Sequence, residues 1–136
     1  MKVLLLGSGG REHALALGLS KGRDMETLYI APGNPGTEQL GTNVKLDMGD
    51  FQQVEAFVLE KGIDMIVVGP EAPLVAGIAD HFKKHSHIQV IGPSAQGAQL
   101  EGSKAFSKKF MQRHQVPTAG YFECDATNLQ QGIDFL

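Results

Sequence analysis

Apolar residues in this chain gather into short blocks, and the stretches between the blocks carry helical spacing. Val3-Leu4-Leu5-Leu6 is uninterrupted, the pattern of a strand buried on both faces. It runs into Gly7-Ser8-Gly9-Gly10 and then a helix from about Arg11. Thr27 to Ile30 reads as the next strand, Ala31 to Thr37 as a Gly/Pro/Asn loop, and Val44-Lys45-Leu46 as a third strand. Asp50 is placed to cap a helix that carries Val54, Phe57 and Val58 on one face, and Gly62 is placed to stop it. Met65-Ile66-Val67-Val68 repeats the fully buried pattern and ends in Gly69-Pro70-Glu71. A helix over about Leu74 to Lys84, a strand from Ile88 to Ile91 and the turn Gly92-Pro93 follow.

This β-α-β alternation predicts an α/β fold: a parallel, Rossmann-like sheet with helices on both faces, because each crossover returns right-handed over the sheet. The loops that leave the strands then share the carboxyl edge, where such sheets bind ligands. After Ser94 the rhythm changes. Ala95 to Leu100 and Ser103 to His114 read as helices, Pro117 ends the helical stretch, residues 121–124 read as a short strand, and a helix begins at about Ala126. We therefore expect an N-terminal α/β domain over 1–94 and, over 95–136, a helical linker that opens a further region. The last helix reaches Leu136 without a capping residue, so the chain reads as a fragment.

Composition narrows the function. With 136 residues and 42% hydrophobic content the chain can bury one substantial core. A formal charge of −3 with twelve dispersed basic residues gives nucleic acid little electrostatic hold. The apolar start is too short for a signal peptide or a membrane span, so no membrane partner is expected and the cytoplasm is the expected compartment. Cys124 is the only cysteine, which rules out an internal disulfide; it reads as a buried thiol in the 121–124 strand.

The chemistry concentrates in the strand-leaving loops. A glycine turn opening a helix cradles an anion, since backbone N–H groups point at it and no Cβ stands in the way. A dinucleotide needs glycine at the third fingerprint position and an acidic residue after the second strand. Here the third position is Glu12, and the second strand runs out into Ala31-Pro32-Gly33-Asn34. That leaves a smaller sugar phosphate, or a purely structural turn. Arg11 opposes the helix dipole, a cost that a bound phosphate would offset, whereas Glu12 suits the dipole. Gly33 and Asn34 lie in a stiff loop that can offer backbone groups to a ligand. Glu71 sits on a Pro-flanked turn, where a carboxylate can accept two ribose hydroxyls. Ser103 is a candidate N-cap, with Lys104 in the first turn facing an unfavourable dipole. Lys108 and Lys109 read as a solvated face. His81 and His85 form an i, i+4 pair, but Lys83 and Lys84 crowd them and no cysteine ligand is near in sequence, so a solvated helix end is expected rather than a metal site.

Taken in order, Gly7-Ser8-Gly9-Gly10-Arg11-Glu12-His13-Ala14, Ala31-Pro32-Gly33-Asn34-Pro35-Gly36-Thr37, Val68-Gly69-Pro70-Glu71-Ala72-Pro73-Leu74 and Leu100-Glu101-Gly102-Ser103-Lys104 resemble the N-terminal pattern of the glycinamide ribonucleotide synthetase (phosphoribosylamine-glycine ligase) family of the ATP-grasp superfamily. Pro117-Thr118-Ala119 matches as well. The resemblance implies that ATP, with Mg²⁺ (or Mn²⁺), phosphorylates the carboxylate of glycine. The amine of 5-phosphoribosylamine then attacks the acyl phosphate, in de novo purine synthesis. It implies further that Gly9, Gly10 and Arg11 hold the sugar 5-phosphate, that Glu71 holds ribose hydroxyls and that Lys104 reaches ATP phosphates; Glu12, Gly33 and Asn34 are expected, from their own turns, in the same substrate site. No catalytic residue or metal ligand is assigned within this chain. The ATP-binding strands and metal-binding carboxylates are expected in a C-terminal portion of the same enzyme, so this chain alone is expected neither to ligate nor to bind ATP or metal tightly. The alternatives are a free-standing nucleotide-binding regulatory module and an ATP-grasp enzyme with a different substrate.

Overall fold

In the computed structural model, which describes residues 1–136, β1 (Lys2–Gly7), β2 (Thr27–Pro32), β3 (Thr42–Asn43), β4 (Met65–Val68) and β5 (Gln89–Ile91) form one parallel sheet in the order β3-β2-β1-β4-β5. β1 is central because it has no polar face to show to water: Val3 to Leu6 are wholly buried. Its alternate residues feed two cores. Leu4 and Leu6 join Val54, Val58, Ile66 and Phe82 on one side of the sheet, and Val3 and Leu5 join Ala16, Leu28, Ile30 and Val67 on the other.

The helices α1 (Gly10–Leu19) and α2 (Phe51–Lys61) supply Ala16 to one core and Val54 and Val58 to the other. Asp50 caps α2 as its sequence position predicts, accepting from the Gln52 and Gln53 N–H groups at 3.1 and 3.0 Å, and Gly62 ends the helix. Such a cap contributes about 1 kcal/mol.

Within the sheet domain, three expected elements differ. The third strand is Thr42–Asn43 rather than residues 44–46: the Val44 N–H makes one last bond to the Ile30 carbonyl, after which Val44 and Leu46 turn to pack on the core. The helix expected over Leu74 to Lys84 is broken into α3 (Glu71–Val75), α4 (Ile78–His81) and a tight turn over Phe82–Lys84, because Gly77 adopts a φ of +100°. Leu74, Ile78 and Phe82 still reach one core. β5 begins at Gln89, one residue later than expected, with Ile88 buried just before it.

The chain divides into two compact units, Met1–Ala98 and Gln99–Leu136, and α5 (Ala95–Gly102) leads from the first into the second. The second holds α6 (Lys104–Arg113) and α7 (Leu129–Phe135). Ser103 is the N-cap of α6, accepting from the Phe106 N–H at 3.2 Å. Residues 121–124 form no strand, and Cys124 is exposed, contrary to the expected buried thiol. Asp125 and Asn128 bond nearby backbone N–H groups with their side chains, which competes with helix formation and delays α7 to Leu129. Lys108 and Lys109 are not simply solvated: Lys108 donates to Thr118 and Ala119, and Lys109 pairs with Glu123 at 2.7 Å. No helix is long and apolar enough to cross a membrane.

Candidate functional site

β1 and β4 are neighbours, yet the chain leaves them in opposite directions, toward β2 and β3 from one and toward β5 from the other. The crevice outside their carboxyl ends is the switch point at which open parallel sheets take ligands. Gly7 to Glu12 leaves β1 there, and Gly69 to Glu71 leaves β4. Backbone bonds fasten the loops together: the Gly69 N–H donates to the Leu6 carbonyl at 3.0 Å, and the Gly33 N–H to the Gly7 carbonyl at 3.1 Å. Asn34 Nδ2 donates to the Ser8 carbonyl at 2.9 Å, which ties the β2 loop to the glycine turn. The Gly92-Pro93 turn lies at the same sheet edge, but its close contact is with α3, where a Cβ on Gly92 would stand 2.5 Å from Leu74 Cδ2.

Within this edge the site residues divide by exposure. Gly9 and Gly10 are exposed at the start of α1, and a Cβ on Gly10 would meet nothing within 4 Å, so the outer side of the turn is open. The side chains of Arg11 and Glu71 are 54% and 50% exposed, and Arg11 Nη2 stands 3.9 Å from Glu71 Oε2. Glu12 is buried at 4% exposure. Its Oε2 accepts from the Gly9 N–H at 2.7 Å and its Oε1 from Arg11 Nε at 3.0 Å. Burial pushes the Glu12 carboxyl up, but the Arg11 bond and charge and the Gly9 N–H outweigh that and hold it below the usual carboxylate range.

Two glycines make room for Glu12. A Cβ on Gly7 would lie 2.4 Å from Glu12 Cγ, and one on Gly69 would lie 2.3 Å from Glu12 Oε1. The glycine absent from the third fingerprint position is thus matched by glycines on the two strands that the side chain enters. Asn34 is a brace within its own loop: its Oδ1 accepts from the Gly36 and Thr37 N–H groups, and its carbonyl accepts from Asn43 Nδ2. Buried Thr37 and half-buried Asn43 complete that network, with the Thr37 hydroxyl donating to Asn43 Oδ1 at 2.7 Å; Asn43 lies outside the loop that the sequence pattern singled out. His13 lies over the same loop, where a Cβ on Gly36 would come within 2.6 Å of its ring.

Lys104 belongs to the second unit, exposed in the first turn of α6. It lines a hollow of about 230 Å³ with Leu100, Glu101, Ser107, Lys108 and Tyr121. No group of three or more His, Cys, Asp or Glu side chains is arranged to hold a metal ion.

The His81/His85 pair is not a solvated helix end. Both rings meet Glu55 of α2, His81 Nε2 at 2.6 Å from Oε2 and His85 Nε2 at 2.5 Å from Oε1, and Lys84 donates to Oε2 at 2.8 Å. The carboxylate lies 26 residues from His81 and 30 from His85 in sequence, beyond the reach of local spacing. Bonds from Lys84 first, then His85 and His81, bring the Glu55 carboxyl down to about 2, against an opposing effect of burial. A lowered folded-state value stabilises the fold above the ordinary carboxylate range, and that contribution is lost as pH falls through the folded value. The stability gap between wild type and Glu55→Gln should therefore be full at neutral pH and close between about pH 4.5 and 2. Denaturant titrations at pH 7, 4 and 3 check this; a gap that stays constant would remove the network from the fold's acid sensitivity.

Comparison with known proteins places this geometry among relatives. The family described as "Phosphoribosylglycinamide synthetase, N domain" matches residues 1–101. A phosphoribosylamine-glycine ligase of Vibrio parahaemolyticus is 50% identical over 123 residues, covering 89% of this chain and 28% of the relative. One from Clostridium acetobutylicum is 43% identical over all 136 residues, which cover 32% of it. The chain thus spans about 30% of the length of the curated relatives it matches. The crystal structure of the Thermotoga maritima phosphoribosylamine-glycine ligase superposes with a TM-score of 0.68 at 29% identity, over 99% of this chain and 30% of that one. The N5-carboxyaminoimidazole ribonucleotide synthetase of the same organism superposes with a TM-score of 0.71 at 17% identity, over 98% of this chain and 36% of that one, which is a likeness of fold alone.

Proposed function

Since the chain belongs to the phosphoribosylglycinamide synthetase family and matches its N domain, we propose that residues 1–94 form the sugar-phosphate site of a phosphoribosylamine-glycine ligase. The observation that carries this reading is the pairing of an open helix start and Arg11 with Glu71, 3.9 Å apart at the β1/β4 switch point. The 5-phosphate of 5-phosphoribosylamine sits over the Gly9–Gly10 turn and takes the Gly10 N–H and the Arg11 guanidinium, the Gly9 N–H being held by Glu12, because an N–H group at a helix start and a cationic fork both favour an anion. Glu71, half exposed beside Arg11, accepts the ribose hydroxyls. Gly33 and Asn34 hold the flanking loop against the glycine turn.

In the complete enzyme, ATP activates the carboxylate of glycine for attack by the amine, with Mg²⁺ or Mn²⁺ supplying charge neutralisation. This chain contributes no assembled metal site, so no step through the metal is assigned to it. Lys104, a cation at the start of α6 beside a hollow, is the residue here that suits ATP phosphates. The catalytic portion belongs to the C-terminal remainder of the enzyme, which implies a cytoplasmic enzyme of purine synthesis. The regulatory-module reading finds no support among the relatives.

The test is a titration of this chain, followed by NMR, with ribose 5-phosphate as a stable stand-in for the labile amine and with NAD as the competitor class. Saturable shifts at Gly9, Gly10, Arg11 and Glu71 are expected with ribose 5-phosphate. Glu71→Gln should weaken binding several-fold, since an amide oxygen accepts fewer hydroxyl bonds than a carboxylate. Binding of NAD in preference to the sugar phosphate would overturn the assignment.

A further inference from the structure

The proposed phosphate site contains one acidic group that faces away from solvent and into the loop, and its surroundings define a task for it. Glu12 is 4% exposed, with one carboxylate oxygen on the Gly9 N–H and the other on Arg11 Nε. Its neighbours above and below are glycines at which any larger residue would collide with it: Gly7 at the end of β1 and Gly69 just beyond β4. A carboxylate this close to an anion site is electrostatically adverse unless it provides something in return. What it provides is orientation. By taking the Nε edge of Arg11, it fixes that edge of the guanidinium against the turn, with Nη2 3.9 Å from Glu71.

We propose that Glu12 is the positioning residue of this site, a buried carboxylate that, anchored on the Gly9 N–H, sets the Arg11 fork in its anion-binding geometry without itself touching the ligand. The inference rests on the sugar-phosphate reading for its ligand but not for its geometry. Preorganising a long side chain reduces the rotamer freedom lost when a ligand binds. The bond from Nε also fixes which edge of a planar five-donor group points outward, something a lysine has no means to reproduce. Because Glu12 acts through Arg11, its contribution to binding should vanish once Arg11 is gone. A carboxylate that merely held the fold together would weaken binding equally in either background.

The experiment has two independent readouts on this chain. The first needs no ligand: the Arg11 Nε–H proton should be resolved and protected from solvent exchange in wild type, and should broaden in Glu12→Gln, whose amide offers a neutral acceptor in place of a charged one. The second is a double-mutant cycle with ribose 5-phosphate as the probe. Glu12→Gln should weaken binding about tenfold, as expected for the loss of a charge-assisted bond, and should cause no further loss in an Arg11→Ala background, where neutralising the bare carboxylate removes a repulsion instead. Glu12→Asp, too short to span both partners, should not restore affinity. An unprotected Nε–H in wild type overturns the positioning role even if Glu12→Gln fails to fold, and additive losses in the cycle overturn it as well. Absence of ribose 5-phosphate binding to wild type would instead defeat the sugar-phosphate reading, with the Nε–H readout still deciding whether Glu12 orients Arg11.

Discussion

Replacing Gly7 by alanine should destabilise the first unit by about 2–6 kcal/mol, the sum of backbone strain and overpacking at about 1–3 kcal/mol each. Two features act at the same atom. Gly7 has a φ of +128°, which an L side chain rarely adopts, and its added Cβ would stand 2.4 Å from Glu12 Cγ and 2.6 Å from Cδ. Glu12 has little scope to retreat, since both of its oxygens are bonded and it is buried. Against a total stability of about 5–15 kcal/mol, this is a large fraction. Gly69→Ala isolates the packing contribution, because Gly69 has no positive φ while its Cβ would come within 2.3 Å of Glu12 Oε1. Gly69→Ala should cost about 1–3 kcal/mol, and adding Glu12→Ala should recover part of that cost, because the obstructing side chain is then absent. The same second change should help Gly7→Ala less, since the strained φ remains. Denaturant unfolding of the four variants measures each difference. A Gly69→Ala protein within about 0.5 kcal/mol of wild type, the range of an ordinary surface change, would show that Glu12 does not fill that space.

The same residues show what sequence can and cannot carry. Val3 to Leu6 and Met65 to Val68 announced buried strands because a parallel sheet covered on both faces leaves no position for a polar side chain, and the structure places them side by side at its centre. Asp50 and Gly62 marked the ends of α2 because capping is local chemistry. The strand expected at 44–46 and the helix expected over 74–84 failed for tertiary and backbone reasons: Val44 and Leu46 are drawn onto the core, and Gly77 takes a left-handed conformation that breaks the helix. At the site, Arg11 and Glu71 were each identified from their own turns, but the reason for their proximity is the adjacency of β1 and β4, which no local pattern encodes. Glu12 was legible as a residue that suits a helix dipole and as a member of the substrate site, but not as a buried one. Its burial depends on Gly69, far along the chain, just as the meeting of His81 and His85 with Glu55 depends on how α2 and α4 pack.

Arg11→Ala should have the largest effect on ligand binding, because the local charge balance turns on this side chain. Around the open turn stand one guanidinium and two carboxylates, Glu12 at 3.0 Å and Glu71 at 3.9 Å from it. Removing the guanidinium deletes a charge-assisted bond to phosphate, and it also exposes the arriving dianion to two uncompensated negative groups. The first contribution alone is about 1.5–3 kcal/mol, or roughly 10- to 150-fold in affinity, and the repulsion adds to it at low ionic strength. Arg11→Lys should fall between wild type and Arg11→Ala: the charge stays near the phosphate, but the planar fork and its Nε anchor on Glu12 are lost. A ladder of ligands separates the components. In wild type, ribose 5-phosphate should bind more tightly than ribose, and that increment is the phosphate's own contribution. Arg11→Ala should nearly abolish the increment while leaving ribose binding close to wild type, whereas Glu71→Gln should weaken ribose and ribose 5-phosphate alike. Isothermal titration at two salt concentrations reads all of these quantities. If ribose 5-phosphate keeps its advantage over ribose in Arg11→Ala, the helix start alone holds the phosphate, and Arg11 serves Glu12 and Glu71 rather than the ligand.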